Sequence, residues 1–165
     1  MNHPDALEAV EKLLTCADKE RNYIEDWLSL IKTHGAFAIA QGVYASRLTP
    51  SEYDDGYPVN SHPLAAFLFL VAHPQYWGVC CRTDNAEIWS MLFHTAYRIG
   101  EDMHDAGVRL LAYYALISLI ERGYDEINVM SFEKIIKHEQ NKLVQSIGYN
   151  LLSILKDQQL NHPYT

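Results

Sequence analysis

A chain of 165 residues, 48% hydrophobic and 12% aromatic, has enough apolar material for one packed core and is too apolar to be disordered. Thirteen Lys and Arg against 21 Asp and Glu leave a net charge of −8. That balance argues against nucleic acid and against anionic membranes, both of which need a basic footprint.

The predicted elements are helical throughout. "NHPDALEAVEKLLTCA" places Pro4 in a first turn and Asp5 and Glu8 at the positive end of a helix, with Leu7, Val10, Leu13 and Leu14 at helical spacing. A second helix over Asp18–His34 carries Ile24, Trp27, Leu28 and Ile31 on one face and stops at Gly35. "AFAIAQGVYASRL" forms a third and ends before Thr49 and Pro50. After the segment "SEYDDGYPVNSHP", Pro63 opens "PLAAFLFLVAH", which is apolar all round and reads as the central buried helix, closed by Pro74.

Asp84 with Glu87 resembles a capping box for "NAEIWSMLFHTAYRI", which Gly100 ends or bends. "EDMHDAGVRLLAYYALISLIER" follows, with "EDMHD" as its acidic first turn and Gly123 as its stop. Ser131 caps one long final helix whose stripe is Phe132, Ile135, Ile136, Leu143, Ile147, Leu151, Ile154 and Leu155. No run alternates long enough for a strand, and there is no repeat or linker. The expected fold is all-α, a single-domain irregular bundle of about seven helices over residues 1–165.

Cys16, Cys80 and Cys81 offer no disulfide framework and no CxxC spacing, so they read as reduced, partly buried small residues. The opening "MNHPDALEAVEK" lacks a signal peptide's basic start and apolar centre. "PLAAFLFLVA" is about half of the roughly 20 residues a membrane span requires. A cytoplasmic protein is the expectation.

Catalytic signatures are sparse. His94, Arg98, Glu101 and Asp105 would share one face if a helix ran through Gly100, a stripe able to hold a metal. His104-Asp105, with His73 about thirty residues upstream, resembles the "HD" signature of the HD-domain phosphohydrolases, which are helical metal enzymes. A convincing distal aspartate is missing; Asp125 and Asp157 are the only later ones. The plainer reading pairs Arg98 with Glu101 or Asp102 across one turn. His3, His62, His73 and His162 each precede a proline, hence turns or helix entries. No HExxH, P-loop, dinucleotide fingerprint or GxSxG elbow occurs. Trp27, Trp77, Trp89 and most tyrosines sit at core spacing. No cofactor and no metal are expected.

The segment from 51 to 57 is the remaining candidate. It lacks the distal glutamate of an EF-hand, so calcium is not its use. Glu52, Asp54 and Asp55 without a local base, flanked by Tyr53 and Tyr57, suit contact with a cationic protein: rings give area and acids meet Lys or Arg. Glu101, Asp102 and Asp105 form a second acidic patch. Residues 1–130 hold eighteen acids and nine bases, and 131–165 three and four, so a basic partner protein would meet the front of the chain. Solubility alone is the competing explanation of the acidity. In size, acidity, helical class and the stretch "SEYDDGYP", the chain resembles the small immunity proteins of bacterial toxin systems, including contact-dependent growth inhibition. That resemblance implies a toxin domain as partner, a basic nuclease foremost, blocked by occlusion of its active site. The alternatives are an HD-like metal-dependent phosphohydrolase and a helical adaptor.

Overall fold

In a computed structural model, the structure describes residues 4–46, 60–79, 81, 83–102, 105–124 and 127–161. Among them are eight α-helices, one short 3-10 turn and no strand. The helices are α1 (Pro4–Leu14), α2 (Tyr23–His34), α3 (Ala36–Ala45), α4 (Ser61–Val71), α5 (Ala86–Asp102), α6 (Ala106–Glu121), α7 (Val129–His138) and α8 (Lys142–Asn161), with the 3-10 turn at Pro74–Trp77 between α4 and α5. All eight helices contribute to one buried cluster, the all-α bundle that the periodicity predicts.

Local chemistry sets the boundaries. α2 begins later than Asp18, because Asp18 Oδ1 accepts from Glu20 N (3.0 Å) in a turn and Asn22 then caps the helix at Glu25 N. Gly35, at φ +91, ends α2 and starts α3 without a linker. α5 begins one residue beyond the expected cap: Asn85 Oδ1 accepts from Ile88 N, while Asp84 turns back to Cys81 N (3.1 Å).

Two expectations need larger corrections. α5 runs unbroken through Gly100 to Asp102, so Glu101 and Asp102 end that helix instead of opening the next. Asp105, the last residue of "EDMHD", is the cap of α6. The long final helix is two helices. Asn128, not Ser131, caps α7, and the chain breaks over 139–141 before Asn141 accepts from Val144 N and starts α8. The break shifts the apolar phase: Val144 is buried, whereas Leu143 is 61% exposed.

The core is built from crossing helices. α6 packs against α5, α8 and α4, and α4 also packs against α2, so these two share the centre. α4 is not wholly buried, since Phe69 lies 44% exposed. Trp27, Phe67 and Trp77 pack in tilted and edge-to-face contacts across α2, α4 and the 3-10 turn, with ring centroids 5.4 and 5.6 Å apart. Trp27 Nε1 donates to Pro63 O (2.8 Å) and Trp77 Nε1 to Leu70 O (3.0 Å), so both indoles are buried with their polar atoms satisfied. All three tryptophans are core residues, but the tyrosines divide: Tyr23, Tyr113 and Tyr124 are buried, while Tyr44, Tyr76, Tyr114 and Tyr149 reach the surface.

Candidate functional site

Glu52, Tyr53, Asp54, Asp55 and Tyr57 lie outside the described residues. The nearest described residues before and after that segment, Ser46 and Asn60, are both hydrogen-bonded to neighbouring helices. Before it, Ser46 is buried and donates through Oγ to Val43 O (2.7 Å). Arg98 of α5 donates through Nη2 to Tyr44 O (3.2 Å) and Ser46 O (3.0 Å), using a guanidinium to satisfy the carbonyls at the end of α3. After it, Asn60 hooks onto the end of α1: its N–H donates to Leu14 O (2.8 Å) and Nδ2 to Thr15 O (2.8 Å). Tyr44, 46% exposed, stands beside the first of these anchors.

The polar stripe from His94 to Asp105 does not converge. Arg98 is committed to α3, and Asp105 Oδ1 accepts from Gly107 N (2.8 Å) and Val108 N (3.2 Å) as the cap of α6. His94 is exposed and packs edge-on against Phe93. His94 and Glu101 lie two turns apart, about 10.5 Å along the axis. His73 sits in an aromatic ladder between Phe69 (4.8 Å) and Tyr76 (6.2 Å). His104 and Asp125 lie outside the described residues, as does the side chain of Asp102. Among the described residues no three His, Cys, Asp or Glu side chains are grouped closely enough to share a metal ion.

Glu101 does have a place in a site. Its exposed carboxylate stands on the rim of a cleft of about 490 Å³ between the end of α5, α6 and α7. Deep in that cleft Arg109 and Glu139 form a bidentate pair, Nε to Oε1 at 2.7 Å and Nη2 to Oε2 at 3.1 Å, with side chains only 14% and 8% exposed. Tyr113 OH donates to Gly100 O (3.3 Å). Burial, then the Glu139 charge, pushes the Tyr113 phenol up to about 12, so it remains a neutral donor. Lys134 and His138, one turn apart on α7, line the other wall.

A second polar cluster surrounds Cys16, half-buried at the end of α1. Hydrogen bonds from Tyr23 and the Asp18 backbone, and then Arg21, hold its thiol below the ordinary range. The same contact pushes the Tyr23 phenol up to about 12. Cys16 and Cys81 are free thiols, and Cys80 lies outside the described residues.

Neither cluster was visible in the pattern of residues. Arg109 and Glu139 are thirty positions apart and on different elements, so no local spacing joins them. The i,i+4 pair Lys134 and His138 was the only signal, and it has the look of an ordinary solvated face. No helix among the described residues is long and apolar enough to cross a membrane. No family model, no curated protein and no solved structure matches the chain.

Proposed function

We propose that this chain is an acidic cytoplasmic binding protein of the immunity type, which docks a basic toxin domain, foremost a nuclease, and covers its active site. The observation that carries the reading is the charge distribution: eighteen acids against nine bases in residues 1–130, with Glu52, Tyr53, Asp54, Asp55 and Tyr57 uninterrupted by any base. A nuclease site is built to attract phosphates, so an acid-rich aromatic segment can fill it on the same electrostatic terms. The anchoring of Ser46 and Asn60 supports this use, because a segment held at both ends loses less freedom on docking than a free tail. Exposed Glu101 and Asp105 supply a secondary patch at the α5–α6 corner, with Asp102 next to Glu101 in the sequence; Asp105 caps its helix while its residue stays exposed.

The test is binding kinetics with the partner at two salt concentrations. Asp54→Lys with Asp55→Lys should lower the association rate and weaken its salt dependence, because steering charges act on encounter. Tyr53→Ala or Tyr57→Ala should act on dissociation, costing about 1–2 kcal/mol for a hot-spot ring. Unchanged rates in all of these variants, with the fold intact, would remove the segment from the interface.

A further inference from the structure

The face shared by α4 and α6 exposes aromatic rings on a stretch of chain without charge. We propose that it is a self-association surface, on which a second copy of this chain docks across a two-fold axis. Phe69 of each copy then sits in a hollow of the other.

The rings come from three elements. Phe69 of α4 is 44% exposed, Tyr76 of the 3-10 turn 45% and Tyr114 of α6 48%. His73 bridges the first two, with ring centroids 4.8 Å from Phe69 and 6.2 Å from Tyr76. Tyr114 joins them because α6 packs alongside α4: Ser118 Oγ donates to Ala72 O (2.6 Å), and Leu111 lines the same hollow as Phe69. Tyr114 lies three positions after Leu111 and four before Ser118, hence on the same side of α6. At about 200 Å² for a whole ring residue, three half-exposed rings offer roughly 300 Å² of apolar surface, a size at which a patch on a monomer is often functional.

Shape selects a second copy as the occupant. One turn before Phe69, Ala65 and Ala66 leave a hollow of about 370 Å³, walled by Ile24, Leu111 and Phe69 itself. Knob and hollow therefore share one helix. A two-fold axis between them, with the two α4 helices antiparallel, places each Phe69 in the hollow of the other copy. Such an isologous contact closes as a dimer.

Charge selects the same occupant. Each copy carries −8, so two copies repel wherever their acids meet. α4, the 3-10 turn and α6 from Leu110 to Ile120 contain no Asp, Glu, Lys or Arg. Among the described residues, the charged side chains lining the hollow are Lys19 and Arg21, and Arg21 is paired with Asp26 at 2.6 Å. A standard interface takes about 800 Å² from each partner, and the rings supply roughly a third of it, so the dimer is a weak one.

Sedimentation velocity of the full chain, over roughly 1 μM to 1 mM, tests this. The mass should rise from 18.9 kDa towards twice that value and no further, with half-association at roughly tens to hundreds of micromolar. Phe69→Ser should weaken the dimer at least about tenfold, because symmetry removes two seated rings at once. Ala65→Gln fills the hollow with a good helix former and should weaken the dimer comparably, which keeps the test decisive if Phe69→Ser fails to fold. Met130→Ser removes an 81%-exposed apolar side chain from α7 and should leave the dimer unaltered. A monomer at every concentration would overturn the proposal, and flotation of that monomer with phosphatidylcholine vesicles would assign the face to a membrane instead. Growth beyond the dimer, equal weakening by Met130→Ser, or a dimer indifferent to both α4 variants would also overturn it.

Discussion

Gly100 shows how one missing side chain decides the course of a helix. A glycine in mid-helix costs about 1 kcal/mol relative to alanine, which is why the sequence suggests a stop or bend there. In the fold, a Cβ at this position would lie 2.9 Å from Tyr113 Cε1, 3.3 Å from its Cδ1 and 3.6 Å from Ala112 Cβ. The glycine exists for close approach of α5 and α6, and the helix passes through it. Tyr113 cannot yield cheaply, since its ring is buried and its hydroxyl is bonded to Gly100 O. Gly100→Ala should therefore destabilise the protein by about 1–3 kcal/mol despite its better helix propensity. Urea unfolding measures this, and a gain in stability would contradict the packing. The sequence carries the identity of such residues but not their neighbours, so it read Trp27, Trp77 and Trp89 correctly and Gly100 ambiguously.

At the scale of elements, helical type was legible and several junctions were not. The apolar stripe continues numerically from Ile136 to Leu143, seven positions on, as one helix would require. Yet the chain folds back, because Gly148 admits Ile136, where a Cβ would come within 3.0 Å of Ile136 Cγ1. Gln145 Nε2 closes the turn by donating to Ile136 O (3.1 Å), and Arg109 holds Glu139 from α6. Three tertiary contacts thus override a local pattern. The two acids of α7 and its junction give a contrast that tests this. Glu139→Ala leaves Arg109 largely buried without its bidentate partner and should cost about 3 kcal/mol. Glu133→Ala removes only an exposed pair with Lys137 and should cost about 0.5 kcal/mol or less. Thermal or denaturant unfolding of the two variants distinguishes them; similar costs would mean the junction is held by packing alone.

At the scale of the whole molecule, charge and fold address different questions. The apolar positions specify one helical bundle with its core drawn from every helix, and that much follows from periodicity. The acids specify no fold, and their concentration ahead of residue 131 was legible only as a field in search of a partner. The described structure adds what composition does not contain: anchors at Ser46 and Asn60 on either side of the acid-aromatic segment. The central claim is that the acidic segment docks a basic protein. Affinity capture from the source cells with quantitative mass spectrometry, using the wild-type chain and the Asp54→Lys, Asp55→Lys variant as baits, tests it most directly. The account predicts enrichment of a basic protein, with pI roughly above 9, by the wild-type bait, and loss of that protein on charge reversal. Equal recovery by both baits, or enrichment of acidic proteins only, would contradict it.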